Sequence, residues 1–470
     1  MALLLVCFLS ACSPPSRMTS KHYISPGNAP VQETTHKLSS SSKLPDSTEQ
    51  KVTREHTVSY LSRTGNKTSS EAEQTESDSP DELHYNGYYY KNLTVGQKNI
   101  YKKIDKAVYE MKNGYIDLGE AQYSSIVLAY AAVINDRPEY FWLDQSKYGI
   151  KYENGRYYMC FSGAVINDRR LSYLYFDEQK QLLQQQLEQR LSRVTAEAQK
   201  KESDYEKALF VHDWLVKNVE YDYATAEAVI NKNQAGIDKD SFTILGALLP
   251  GQTADKGTVK AVCEGYAKAY HCILRRLGLE SLVVTGKYNG YGHMWNCVKI
   301  DGEWYFTDCT NDDIYPDTVG HTFFNVSRRA LSRIYDIDRT VTPYTVEAIT
   351  EDESFNFCLP LCDSTRHNYF VVNNRCLAPE DFNLEAATVK ATDGAIKRIA
   401  DLIISENASR VKVLELCFND ETDFVFNEDT TETLICLTEI AEQVQRLGTN
   451  IKNIKAKGIN SAKGFMLYWE

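Results

Sequence analysis

The dipeptide Asp301-Gly302 lies between two stretches of alternating apolar and polar residues, and it constrains the fold more than any other local feature. Such a pair predicts a two-residue β-hairpin turn, because the favoured turn needs a positive φ at both central positions. The hairpin fixes the strand register so that paired residue numbers sum to 603. His293 and Asp308 then occupy diagonal positions on one face of the hairpin, about 7–8 Å apart between backbones. We therefore expect these two side chains to lie within reach of each other.

A helix that ends at Gly278 is predicted from the apolar residues that recur at helical spacing after Val262. Cys263 lies in the first turn of this helix, where backbone N–H groups and the helix dipole stabilise a thiolate or an oxyanion. A thiol, an imidazole that deprotonates it and a carboxylate that orients the imidazole are the groups needed for nucleophilic acyl transfer. Cys263, His293 and Asp308 supply these groups, although spacing alone leaves open whether the thiol meets the imidazole.

Three motifs follow one another along the chain: Val262-Cys-Glu-Gly-Tyr-Ala267, Gly292-His-Met-Trp-Asn296 and Trp304-Tyr-Phe-Thr-Asp308. In this order they resemble the bacterial transglutaminase-like superfamily, and in particular its Firmicutes-type surface lipoproteins. The resemblance covers about residues 200–325 firmly and the flanking residues loosely. It implies an α+β fold with a papain-like core and thiol-dependent action on amide bonds.

The resemblance also implies roles for individual residues. Cys263 is the expected nucleophile, His293 the expected base and Asp308 the carboxylate that orients the base. Three further residues are predicted to surround this triad or to line its cleft: Trp295, Asn296 and Tyr266. Cys309 stands where a proline is common in the family, which is a mild departure.

The N-terminus resembles a bacterial lipoprotein signal. An apolar run over residues 2–9 is followed by Leu9-Ser10-Ala11-Cys12, which resembles a lipobox whose cysteine receives a lipid. We expect Cys12 to anchor the chain on the extracellular face of the cell membrane, with the membrane lipid as a partner. A chance apolar N-terminus is the alternative, since no Lys or Arg precedes the apolar run.

Composition and hydrophobic spacing predict five parts: a signal peptide at 1–12, a disordered Ser/Thr-rich tether at 13–80, a helical, aromatic-rich N-terminal region at 81–200, a catalytic core at 201–362, and a small C-terminal α/β accessory domain at 363–470. Within these parts we predict a helix from Leu118 to Ile134. Strands are predicted at Tyr140–Trp142 and Tyr369–Val372, and Asp393 is predicted to cap a helix.

Several classes of function are excluded or disfavoured. The net charge is −12 and no Lys/Arg-rich block occurs, so nucleic acid is not an expected partner. The sequence contains no C-x-x-C, H-E-x-x-H, Walker or G-x-S-x-G motif, so we predict neither a metal site nor a cofactor. His212 and His271 are interpreted as structural or exposed residues, and His321 as a residue that could line a cleft.

Three functions remain open on the sequence. The preferred one is a cysteine peptidase or amidase that acts on a cell-surface protein or peptide. A cross-linking transglutaminase that uses an amine acceptor is the second, and it is disfavoured because no calcium-loop motif is visible. The third is a non-catalytic binding protein on the same fold. The reactivity of Cys263 separates the two enzymes from the binding protein.

Overall fold

The structure is a computed structural model. It describes residues 86–161, 172–175, 177–250, 259–313, 318–332, 334–336, 359–383, 389–418, 434–459 and 464–470, all of which belong to one compact unit. Cys12 and the segment 13–80 lie outside these ranges. None of the helices in the described ranges has both the length and the apolar composition needed to cross a bilayer.

The α-helices, numbered α1 to α13 in chain order, are Tyr88–Lys91, Val95–Tyr109, Tyr123–Asp136, Asp177–Ala198, Asp204–Asn218, Tyr223–Ile230, Ile244–Leu248, Cys263–Arg276, Cys309–Asp312, Arg328–Leu331, Tyr369–Val372, Asp393–Ala408 and Leu437–Arg446. The strands, numbered β1 to β15, are Tyr115–Gly119, Gly149–Glu153, Arg156–Cys160, Glu220–Tyr221, Lys260–Ala261, Ser281–Tyr288, Tyr291–Ile300, Glu303–Thr307, Tyr335–Asp336, Cys376–Leu377, Phe382–Asn383, Lys390–Ala391, Val413–Phe418, Lys455–Ile459 and Gly464–Tyr468.

The central sheet is antiparallel and has the strand order β8-β7-β6-β9. The β7–β8 hairpin has the predicted register, since Asn296 pairs with Thr307 and Cys297 pairs with Phe306. Asp301 and Gly302 both have positive φ values, 49° and 86°, as the turn requires. The register prediction is confirmed.

Helix α8 packs against this sheet and contributes a nearly continuous buried face. It begins at Cys263 and ends at Arg276. Gly278, two residues later, has a φ of +80°, which is typical of the residue that terminates a helix. One hydrophobic core runs from Tyr89 to Cys362, so the N-terminal helices and the central sheet share their buried side chains.

The N-terminal region differs from its predicted form in two places. Residues Tyr115–Gly119 form a strand of a three-stranded antiparallel sheet, and the helix begins only at Tyr123. The helix prediction from Leu118 therefore began too early, because Gly119 adopts a positive φ that ends the strand. The predicted strand Tyr140–Trp142 is also wrong: these residues form turns, and Trp142 packs in the core.

The C-terminal region has its own four-stranded sheet, in the order β10-β13-β15-β14, and its own hydrophobic core between Leu377 and Trp469. The predicted strand Tyr369–Val372 is wrong, since these residues form a short helix. The Asn368 side chain starts this helix by accepting a hydrogen bond from the Phe370 N–H. Thr392, rather than Asp393, caps helix α12.

Candidate active site

Cys263 is the first residue of α8 and is 1% exposed. The first turn of this helix lies tightly against another backbone segment. A β-carbon on Gly265 would lie 2.6 Å from the Ser241 carbonyl oxygen and 3.0 Å from that of Thr243. The glycine of the cysteine motif therefore permits the close packing that fixes the start of the helix.

His293 on β7 lies beside Asp308, which directly follows β8. The His293 Nε2 and Asp308 Oδ2 atoms are 2.6 Å apart, and both residues are 1% exposed. Asp308 also caps the short helix α9, because its Oδ1 accepts the N–H groups of Thr310 and Asn311 at 2.9 and 3.2 Å. The carboxylate is thus held by the backbone and presented to the imidazole.

Two residues that the sequence analysis missed also hold this carboxylate. The Tyr335 hydroxyl donates to Asp308 Oδ2 at 2.6 Å, and the Asn311 side-chain amide donates to the same oxygen at 2.9 Å. The Asn311 amide also donates to the Tyr335 hydroxyl at 2.6 Å. Asn311 could have been found from its place three residues after Asp308. Tyr335 lies on β9, whose pairing to β6 has no local sequence signal.

These contacts set the charge states of the pair. Burial raises the pKa of Asp308, but the charge of His293 and the hydrogen bonds to it bring the net pKa below its usual value. Burial lowers the pKa of His293, but the charges of Asp308 and Cys263 and their hydrogen bonds raise it overall to about 10. The imidazole is therefore protonated at neutral pH and can act as an acid.

The charge of Cys263 and a hydrogen bond with its side chain both contribute to the raised pKa of His293. The Cys263 thiol therefore lies next to the imidazole. His293 Nε2 is hydrogen-bonded to Asp308, and His293 Nδ1 is buried without a partner of standard hydrogen-bond geometry. Nδ1 is therefore the nitrogen left to exchange a proton with the thiol. The structure thus brings the three predicted triad residues together.

Trp295 lies beside the pair. Its ring stacks on His293 with a centroid distance of 6.0 Å and meets the Tyr335 ring edge-on at 5.1 Å. Space for the indole comes from Gly286, where a β-carbon would lie 2.5 Å from the tryptophan ring. Trp295, itself 1% exposed, shields the His293–Asp308 interaction from solvent.

Asn296 and Tyr266, the other two predicted neighbours, connect elements within the core. The Asn296 amide donates to the Ala267 carbonyl in α8 at 2.9 Å, which joins the cysteine helix to β7. The Tyr266 hydroxyl donates to the Val219 carbonyl at 3.0 Å and contacts an Asp313 carboxylate oxygen at 2.6 Å. Both residues are buried, so they support the site rather than line an open cleft.

The remaining histidines of interest are also buried. His271 is 1% exposed, and its Nδ1 lies 2.7 Å from the Ser281 hydroxyl. His212 is fully buried, and His321 is 7% exposed. An exposed position for His212 or His271 is therefore wrong, whereas a structural role agrees with these contacts.

A family model described as the transglutaminase-like superfamily matches residues 192–309. This chain carries a transglutaminase-like domain. The matched region contains α8 and the β7–β8 hairpin, and the mixed helices and sheets around them have an α+β fold.

Two curated relatives carry the same name. The chain is 26% identical to human and to mouse kyphoscoliosis peptidase over 137 residues, which is 27% of this chain and 18% of each relative. The chain thus spans less than a fifth of the length of these relatives.

Solved structures show more distant likenesses. A structure titled as a TGase is 21% identical, with 40% of this chain and 48% of that chain covered and a TM-score of 0.23. A candidate cysteine protease from Cytophaga hutchinsonii is 15% identical, with 35% and 61% covered and a TM-score of 0.20.

Proposed function

We propose that this protein catalyses thiol-dependent acyl transfer at amide bonds, with hydrolysis as the net reaction. The observation that supports this proposal is the buried His293–Asp308 pair, which lies next to a cysteine at a helix N-terminus. The transglutaminase-like domain and the name of the human relative, a peptidase, agree with it.

In the proposed reaction, Cys263 passes its thiol proton to His293 Nδ1, and the resulting thiolate attacks the carbonyl carbon of an amide. His293 Nδ1–H gives its proton to the departing amine, and a thioester remains on the cysteine. His293 then takes a proton from water, whose oxygen attacks the thioester. The carbon–sulfur bond breaks, which releases a carboxylic acid and restores the Cys263 thiolate beside the His293 imidazolium. Asp308 stabilises the imidazolium and keeps its Nε2–H directed away from the sulfur.

The proposed substrate is a protein or peptide at the cell surface, where a lipid on Cys12 would hold the enzyme. A transferase reaction needs an amine to replace water at the thioester stage. Incubation with a fluorescent primary amine and a glutamine-containing protein distinguishes the two reactions. Release of ammonia or new termini without label supports hydrolysis, whereas stable labelling of the protein supports cross-linking.

The first test of the enzyme proposal is the rate of iodoacetamide labelling at Cys263. Peptide mass mapping of the full chain from about pH 5 to about pH 9 measures this rate. We expect fast labelling near pH 6 that is selective for Cys263. Cys272, Cys297 and Cys309 should react slowly, because burial raises the pKa of the Cys272 thiol to about 12 and raises those of Cys297 and Cys309 as well.

Two variants make this test specific. His293→Ala removes the imidazole and should slow labelling of Cys263. His367→Ala is the matched control, because His367 pairs with Asp301 and packs against the rings of Tyr205 and Tyr305, all of them outside the triad. A labelling rate that follows an ordinary thiol, or that is unchanged in His293→Ala, would overturn the enzyme proposal and favour a surface binding protein.

A further inference from the structure

A second buried group of titratable side chains contains none of the triad residues. His212 and Asp213 lie on α5, and His321 lies in the segment that follows α9; we call these three the two-histidine cluster. Each residue offers one ligand atom, and the three atoms lie within 4.8 Å of one another. Asp213 Oδ1 is 3.1 Å from His212 Nδ1 and 3.1 Å from His321 Nε2. Two imidazole nitrogens and one carboxylate oxygen thus converge.

Each histidine of the cluster has a second carboxylate on its other ring nitrogen. His212 Nε2 is 3.0 Å from Asp312 Oδ2, and His321 Nδ1 is 3.2 Å from Glu415 Oε2. Histidines that bind metals in proteins almost always donate their other N–H to a carboxylate, a carbonyl or water. This arrangement occurs here twice. It leaves His212 Nδ1 and His321 Nε2, the nitrogens that face Asp213, as the atoms that could coordinate a metal ion.

The outer carboxylates are themselves held in place. Both oxygens of Asp312 accept the Phe323 N–H, at 3.0 and 3.1 Å, and Glu415 Oε2 accepts the His321 N–H at 3.1 Å. The His321 ring stacks on Tyr369 with a centroid distance of 3.8 Å and an interplanar angle of 6°. The two imidazoles are therefore oriented by packing and hydrogen bonds before any ligand binds.

The charges of this region favour a bound cation. Three carboxylates, those of Asp213, Asp312 and Glu415, surround two imidazoles, and the last two carboxylates are at most 3% exposed. Lys217 approaches Asp213 only at 4.0 Å and is 62% exposed. Because the three carboxylates outnumber the two imidazoles, the group carries an excess negative charge that a divalent ion would offset.

We propose that His212 Nδ1, one carboxylate oxygen of Asp213 and His321 Nε2 bind a single divalent transition-metal ion, for which Zn²⁺ is the best-fitting probe. Zn²⁺ accepts imidazole and carboxylate ligands at about 2.0–2.2 Å. Two such ligands in a tetrahedron lie about 3.3 Å apart, close to the 3.1 Å separations in this cluster. Asp213, with its side chain 27% exposed, provides the entry path and leaves a fourth position for water.

This ion would have a structural role. It would join α5 to the segment after α9, and Glu415 extends the connection to the C-terminal sheet. Asp312 belongs to the short helix that Asp308 caps, so the site also supports the catalytic carboxylate. The C-x-x-C and H-E-x-x-H patterns are absent from the sequence, but ligands brought together from distant segments leave no such local pattern.

The test uses the full chain after dialysis against a chelator. Titration with Co²⁺ should give one bound ion per chain and visible ligand-field absorption, and Zn²⁺ should displace it. The spectrum should lack the near-ultraviolet charge-transfer band that thiolate ligands produce. Binding is measured without any substrate, so its outcome is independent of the proposed catalytic activity.

Three variants locate the site, and two more serve as controls. His321→Gln and Asp213→Asn should abolish Co²⁺ binding, and Glu415→Gln should weaken it about 10- to 100-fold. Cys263→Ala and His367→Gln are controls that should bind as the unmodified chain does. Circular dichroism identifies any unfolded variant; Asp213→Asn, the most exposed of the three ligand positions, provides a readout if the histidine variant does not fold.

Three results would overturn the proposal. The first is the absence of saturable Co²⁺ and Zn²⁺ binding by the folded chain. The second is a thiolate charge-transfer band that disappears in Cys263→Ala. The third is binding that persists in folded Asp213→Asn. A rise in melting temperature with Zn²⁺ that is lost in Asp213→Asn would support it independently.

Discussion

Asp308 uses its two carboxylate oxygens for two different sets of contacts. Its Oδ1 atom caps a helix, and its Oδ2 atom accepts hydrogen bonds from His293, Tyr335 and the Asn311 amide. A buried carboxylate with so many donors stays ionised, which is the state that orients the imidazole. His293 and Asp308 could be predicted because a hairpin register is a local property. Tyr335 could not, because its position depends on how a distant strand joins the sheet.

The charge pair predicts a pH dependence of stability. The pKa of His293 rises from 6.5 to about 10 on folding, so its contribution is fully present below about pH 6.5 and is lost as pH rises through about 10. The pKa of Asp308 falls on folding, so its contribution is present above its unfolded pKa of about 3.9 and is lost as pH falls through its lower folded pKa.

We therefore expect the difference in unfolding free energy between the unmodified chain and His293→Gln to be largest between about pH 4 and pH 6.5. The difference should shrink steadily toward pH 10. Urea unfolding followed by tryptophan fluorescence at several pH values measures it. A difference that grows with rising pH would show that the pair is not ionised in the folded protein. His367→Gln serves as the comparison variant.

At the scale of elements, the site depends on how α8 fits its surroundings. Gly265 in the cysteine motif allows the helix to approach the backbone of Ser241 and Thr243. Asn296 then joins the helix to β7 through the Ala267 carbonyl. The helix itself could be predicted from its apolar spacing and from Gly278. These contacts could not, because they involve residues far apart in the sequence.

Replacement of Gly265 by alanine should therefore destabilise the protein by about 1–3 kcal/mol, because the added methyl group meets backbone atoms that cannot move aside cheaply. It should also slow labelling of Cys263, which lies in the same turn. Gly96→Ala is the matched control: Gly96 is in helix α2, and nothing lies within 4 Å of the position of its missing β-carbon. That change should stabilise by about 0.5–1 kcal/mol. Equal effects of the two changes in thermal melts would contradict the packing argument.

At the scale of the whole molecule, the described residues form two hydrophobic cores, one up to Cys362 and one from Leu377 onward. The change in strand and helix pattern near residue 363 led to the prediction of a separate C-terminal domain. The pattern did not indicate which surfaces the two parts share. Glu415 on β13, whose carboxylate reaches the His321 backbone and ring, is a buried polar contact between them. Contacts of this kind depend on the packing of complete folded parts.

Removal of the Glu415 carboxylate should loosen this connection. In Glu415→Ala, the His321 N–H loses its acceptor in a buried setting, which costs about 1–3 kcal/mol. We expect faster hydrogen exchange in residues 318–327 and in β13, measured by mass spectrometry on the full chain, while exchange in β6 and β7 changes little. Glu439→Ala, at an exposed position on α13, is the matched control and should leave all four segments unchanged. If exchange instead rises uniformly across the central sheet in Glu415→Ala, the carboxylate supports the whole fold rather than the connection between the two cores. Unchanged exchange in residues 318–327 would show that the contact contributes little to holding the C-terminal sheet in place.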